Sequence, residues 1–114
     1  MTVVLIVEDD VLLRMLVVDV VEEAGFEAIQ AAHADEAIDV LKCRSDVAIL
    51  LTDIDMPGSM NGLQLVHEVR KRWPRIRPVV MSGQVKPHLS DLPPGVRFFA
   101  KPYPSAALVA ELRR

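Results

Sequence analysis

Cysteine is nearly absent from this chain, Cys43 being the only one, so no intrachain disulfide can form. Cys43 lies in an apolar helical pattern with no companion that would suggest catalysis, and is expected to be a buried, inert thiol. A long run of basic residues is missing as well. The formal net charge is -3, and the cations are scattered apart from Arg70-Lys71-Arg72 and Arg113-Arg114. Those two clusters are expected at helix C-termini, where positive side chains complement the helix dipole, so no nucleic-acid footprint is expected. No apolar run is long enough to span a bilayer, and no positive leader precedes the first one, which three acids interrupt at Glu8-Asp9-Asp10. A cytoplasmic protein without a membrane partner is therefore expected. At 114 residues the chain reads as one domain spanning residues 1–114. Such a domain buries about two thirds of its unfolded surface without a disulfide or zinc staple.

What is present is a set of short apolar runs, each ending in a polar residue of a different kind. Val3-Val4-Leu5-Ile6-Val7 leads into Glu8-Asp9-Asp10, Ala48-Ile49-Leu50-Leu51-Thr52 into Asp53, Val79-Val80-Met81 into Ser82, and Phe98-Phe99-Ala100 into Lys101-Pro102. Continuous Val/Ile/Leu runs without alternation are the mark of strands buried on both faces, as in a parallel sheet covered by helices. A weaker strand, Glu27 to Ala31, follows Gly25.

Between these runs lie stretches of helical period at 10–24, 34–43, 62–72 and 105–113. Gly25 is expected to stop the first, Asn61 and Ser105 to cap the third and fourth, and Trp73-Pro74 to close the third. Pro87, Pro93 and Pro94 leave room for only a stunted helix or a loop between Gly83 and Gly95. The pattern predicts an α/β fold with a doubly wound parallel sheet. Such sheets bind ligands beyond the carboxyl ends of their strands, where the strand order reverses. Glu8, Asp9, Asp53, Ser82 and Lys101 all fall at such ends.

Carboxylates crowded together repel one another, and a divalent cation relieves that repulsion. Magnesium suits an all-oxygen set, and none of His33, His67 and His88 ends one of the four runs, so zinc is not expected. His33 is expected to cap or to sit at the surface. Phosphoryl transfer needs positioning and neutralisation of equatorial oxygens. A metal ion on one side, the Lys101 ammonium on the other and the Ser82 hydroxyl would supply both, with Asp53 as nucleophile.

Val7-Glu8-Asp9-Asp10, Thr52-Asp53-Ile54-Asp55-Met56-Pro57, Met81-Ser82-Gly83 and Ala100-Lys101-Pro102 together resemble the receiver domain of two-component response regulators, in order and spacing over the whole chain. The resemblance implies a flavodoxin-like, five-stranded sheet of order 2-1-3-4-5 in three α/β/α layers. It implies that Asp53 is the phosphoacceptor, taking its phosphoryl group from a phosphohistidine on a sensor histidine kinase or phosphotransfer protein. Asp9 would bind Mg2+ directly and Glu8 chiefly through water, with Asp53 and the backbone carbonyl of Asp55 completing the protein ligands. Ser82 and Phe98 would be the switch pair, and Phe98, having no polar atom, could couple only by packing. Asp55 and Gln84 would tune dephosphorylation, and Lys101-Pro102 would carry a cis peptide bond. The chain itself would be a phosphoacceptor rather than an enzyme, acting on a downstream protein target as a monomer or weak homodimer.

Two departures from the family pattern stand out. Gly58-Ser59 make the loop beside Asp53 one residue longer than usual, and the Pro-rich segment replaces the usual fourth helix, as in a subset of stand-alone receivers. The first helix is also more apolar than a surface helix. Leu13, Leu16, Val17, Val20, Val21 and Ala24 are expected to be buried. Val11, Leu12, Met15 and Val18 then form a face for docking the kinase, with self-association second and extra core contacts as the alternative. A magnesium phosphatase of the haloacid dehalogenase type is the rival reading of Asp53-Ile54-Asp55. In that family, however, the Asp pair ends the first strand and is followed by Thr or Val where Pro57 stands here. A non-phosphorylatable binding module is disfavoured because every residue of the expected site is present.

Overall fold

The computed structural model describes residues 1–56, 58, 60–82, 94–101 and 104–114. Five strands and four helices follow one another: β1 (Val3–Val7), α1 (Val11–Glu23), β2 (Glu27–Ala31), α2 (Ala34–Cys43), β3 (Val47–Asp53), α3 (Gly62–Arg72), β4 (Arg77–Ser82), β5 (Arg97–Ala100) and α4 (Ser105–Leu112). All strand pairs are parallel, in the order β2-β1-β3-β4-β5. The order reverses at β1 and β3, as expected for a doubly wound sheet. The register sets Val7 beside both Ala31 and Thr52, Asp53 beside Met81, and Ser82 beside Ala100. The residues that follow each run are therefore brought to one edge.

Alternate residues of the buried strands supply two cores, which accounts for the unbroken apolar runs. Val3, Leu5, Val7 and Leu50 face α2 and α3, packing with Ala37, Leu41, Leu65 and Val69. Val4, Ile6, Ile49, Leu51, Val79 and Met81 face the opposite layer, with Val17 and Val21 of α1 and Leu108 and Leu112 of α4. Pro78 is tolerated inside β4 because pairing with β5 begins only at Val79, so no ladder bond to β5 is lost there.

The helix starts are fixed by side-chain acceptors. Asp10 Oδ1 accepts from the backbone N–H of Leu12 and Leu13 at 3.0 and 3.2 Å. His33 caps α2, and Asn61 with Gln64 forms a reciprocal capping box on α3. Trp73 is the C-cap residue of α3, half-buried against the core, with the Arg72 guanidinium 4.6 Å from its ring centroid.

Three expectations are corrected. Ser105 is the first residue within α4 rather than its cap; Pro104 takes that place in an extended conformation, without a side-chain bond because its ring carries no acceptor. Cys43 is exposed. The buried stripe of α2 runs through Ala34, Ala37, Ile38 and Leu41, and the last residue turns off it. In α1 only Val17 and Val21 are fully buried, Leu13 and Leu16 are 38% and 62% exposed, and Val18 packs partly against the core. The buried arc is turned toward Val18 because Phe26 and Ala28, at the adjacent edge of the sheet, pack against the same core. The predicted stunted helix, Gln84, His88 and the Lys101-Pro102 peptide bond lie outside the described residues, apart from a turn at Pro94-Gly95.

Candidate functional site

Glu8 follows β1, its N–H continuing the ladder to the Ala31 carbonyl at 3.1 Å, and its side chain is 1% exposed. Asp53 is the last residue of β3 and is buried, whereas Asp9 and Asp55 are exposed. One carboxylate oxygen from each of Glu8, Asp9 and Asp53 lies within 4.8 Å of the others. From β5, Lys101 reaches across the edge, its Nζ donating to Glu8 Oε1 at 2.9 Å and to Asp53 Oδ2 at 2.8 Å. The Lys101 N–H is anchored to the Ser82 carbonyl at 2.8 Å, which ties the β5 end to β4.

The remaining lone pairs are used locally. Asp53 Oδ1 accepts from the Asp55 N–H at 3.0 Å, and Glu8 Oε2 accepts from the Asp10 N–H at 3.1 Å. The Ser82 hydroxyl donates to Asp55 Oδ2 at 2.8 Å. Gly62, opening α3, sits so close beneath Asp53 that a Cβ there would fall 2.6 Å from Ile54 Cα and against the Asp53 carbonyl. The helix start and the acceptor loop thus pack backbone to backbone, which only glycine allows.

These surroundings shift the ionisable groups. Burial, aided by the nearby Asp53 charge, pushes Glu8 up to about 7, despite its bonds to Lys101 and the Asp10 N–H. Burial opposes the charge on Lys101, but its bonds to Asp53 and Glu8 outweigh that cost and raise its pKa, so it is cationic at neutral pH.

The structure therefore gathers Glu8, Asp9, Asp53, Ser82 and Lys101 at the edge, as the runs predict, and Asp55 lies with them. Phe98 sits apart, half-buried beside Val80 on the α2/α3 side of the sheet. Two contacts are not legible in the runs. One is the Asp55 side chain on Ser82. The other is Arg14, whose guanidinium donates to the Glu8 carbonyl at 2.8 Å and to Gln30 Oε1 at 3.1 Å, bracing the end of β1. Its only signal is that no other Lys or Arg precedes Lys42.

The donor set fits a hard divalent cation: it is all oxygen, clustered, and includes a carboxyl whose pKa is raised chiefly by burial and further by the Asp53 charge. The aligned carboxyl ends of the strands, an acidic cluster and a lysine bridging it mark the ligand-binding edge of a doubly wound α/β sheet. The response regulator receiver domain model matches residues 4–113. The chain belongs to that family, whose members act in two-component signalling. It is 32% identical over 116 residues to the chemotaxis protein CheY of Thermotoga maritima, covering 97% of this chain and 94% of that one. It is also 32% identical over 115 residues to CheY1 of Helicobacter pylori, covering 95% and 91%. A response regulator receiver domain protein of Clostridium thermocellum superposes with a TM-score of 0.91 at 17% identity, over 99% of this chain and 92% of that one, a likeness of fold. Among the described residues no helix is long and apolar enough to cross a membrane.

Proposed function

We propose that residues 1–114 act as a single receiver domain in which Asp53 accepts a phosphoryl group from a phosphohistidine of a sensor histidine kinase or phosphotransfer protein. An Asp53 carboxylate oxygen forms the new bond to phosphorus as the bond to the donor imidazole nitrogen breaks, leaving an acyl phosphate and a free histidine. The observation that supports this best is the double hold on Asp53. The carboxylate is buried, yet paired with the Lys101 ammonium on Oδ2 and oriented by the Asp55 N–H on Oδ1. Lys101 also faces the incoming phosphoryl oxygens, and Ser82 stands one side chain away with a hydroxyl to donate.

Glu8, Asp9, Asp53 and the backbone carbonyl of Asp55 would hold Mg2+, which when bound neutralises charge on the transferring phosphoryl group. Phe98 would follow Ser82 by packing alone, and Asp55 and Gln84 would set the lifetime of the product. The chain acts as a cytoplasmic signalling protein, monomeric or weakly dimeric, that modifies only itself, contacts a downstream protein and does not bind nucleic acid. The haloacid dehalogenase reading loses support because Asp53 ends the third strand of the chain, at the centre of the sheet.

Incubating the protein with a phosphorylated kinase and Mg2+ is expected to label the wild type with a base-labile phosphoryl group and to leave the Asp53→Asn variant unlabelled. Labelling of that variant at the native rate would overturn the proposal, as would steady turnover of p-nitrophenyl phosphate.

A further inference from the structure

Opposite the acidic edge, at the entry ends of the strands, the chain gathers most of its cations, and helix ends account for only part of them. Lys42, Arg72 and Arg113 lie at or next to helix C-termini, but Arg75 precedes β4, and Arg77 and Arg97 open β4 and β5. Three clefts of about 470, 550 and 480 Å³ lie along this end. The first is lined by Lys42, Arg44, Arg72 and Arg75, over a floor that includes Leu41, Val47, Trp73 and Ile76. The second shares Arg75 and adds Arg77, Arg113 and Arg114 over Phe26, Ile49 and Leu112. The third shares Arg77 and Arg114 and adds Arg97. The shared arginines make the three clefts one continuous belt.

Eight cationic side chains line this belt against one acid, Glu111. Glu111 is 4% exposed and is bound by Arg77, Arg97 and Arg114 at 2.7, 2.9 and 3.2 Å, so three guanidinium groups share one carboxylate. Arg44 is neutralised by Glu27 and Asp46, and Arg72 is paired more loosely with Glu68 at 3.6 Å. Among the described residues Lys42 and Arg75 form no ion pair. Positive charge is therefore left over at each end of the belt. The length of β3 separates it from Asp53 by roughly 20 Å, about two screening lengths, so the acidic edge does not cancel its field.

We infer that this belt is a docking site for an extended acidic peptide segment of a partner protein, in which carboxylates alternate with apolar side chains. The guanidinium rim suits bidentate binding of carboxylates, and the apolar floors of the first two clefts suit the side chains between them. Single-stranded nucleic acid fits less well. It needs open aromatic platforms for its bases, whereas the Trp73 ring is half-buried and covered by Arg72. The site lies on the far side of the sheet from Asp53, so it would tether a partner without occupying the phosphorylation edge.

The test uses the full chain and two fluorescent probes, a peptide of alternating Glu and Leu and an oligothymidylate. Arg75 is exposed, unpaired and shared by two clefts; Lys71 is exposed and lines none of the three. Binding of the peptide is expected to weaken about tenfold in Arg75→Glu, no more than about twofold in the charge-matched Lys71→Glu, and to fall as salt is raised. Thermal melting of both variants checks that each is folded. No peptide binding by the wild type, or equal loss in the two variants, would overturn the site, and tighter binding of the oligothymidylate would replace the peptide with nucleic acid.

Discussion

In the unmodified site Ser82 gives its hydroxyl proton to Asp55 Oδ2 at 2.8 Å. A phosphoryl group on Asp53 must therefore compete with Asp55 for the same donor. Replacing Asp55 by Ala removes that competitor and is expected to tighten Mg2+-dependent beryllofluoride binding about fivefold, the equivalent of about 1 kcal/mol for one hydrogen bond. Calorimetric titration of the two proteins checks this, and unchanged or weaker binding would show that the contact does not restrain Ser82. Gly62 restrains the site differently, through space. Gly62→Ala forces a methyl group against the Asp53 carbonyl and Ile54 Cα and is expected to cost about 3 kcal/mol in urea unfolding, while slowing phosphorylation. A loss below 1 kcal/mol would mean that the loop relaxes freely. Glu8, Asp53, Ser82 and Lys101 are legible in the sequence because each interrupts or ends an apolar run. The Asp55 to Ser82 bond is not, since it joins side chains 27 positions apart, and neither residue type implies that pairing.

Elements show the same division. The strands and the limits of α2 and α3 follow from their runs and caps, because burial on both faces and a fitted N-cap leave little freedom. The buried arc of α1 does not. Nine of its thirteen residues are apolar, so several rotations satisfy the helical period, and only the placement of Phe26 and Ala28 decides among them. The outcome leaves Leu12 and Leu16, one turn apart, 73% and 62% exposed, with Val11 and Met15 at 57% and 55%. This apolar strip adjoins the acidic edge through Asp10, which caps the helix. It suits the helical surface of a phosphodonor protein, and it differs from the Val11, Leu12, Met15 and Val18 face expected from the sequence in having Leu16 in place of Val18. Leu12→Glu/Leu16→Glu is expected to slow phosphotransfer from the kinase by about tenfold or more, the effect of losing one or two buried anchors. It should leave labelling by acetyl phosphate and thermal stability nearly unchanged. Equal loss with both donors would place the defect in the site rather than in docking.

For the whole molecule, the acidic edge makes stability depend on pH and on metal together. Glu8 has an ordinary pKa of 4.5 and is pushed to about 7 in the fold, chiefly by burial. Between those values the folded state holds a proton that the unfolded chain has released, so stability falls as pH rises through this window. Asp46 is shifted the opposite way by Arg44, from an ordinary 3.8, and loses its contribution only in more acidic solution. It therefore does not offset Glu8 at neutral pH. In EDTA, urea unfolding is expected to show the protein less stable at pH 8 than at pH 5, with Glu8 accounting for on the order of 2 kcal/mol of the difference. Glu8→Gln should remove that share, since the amide carries no charge to desolvate. Protons and Mg2+ compete for the same oxygens, so added Mg2+ should stabilise the wild type more at pH 8 than at pH 5. Equal stabilisation at both pH values, or a pH slope that survives Glu8→Gln, would show that the cost of gathering these acids is borne elsewhere in the fold.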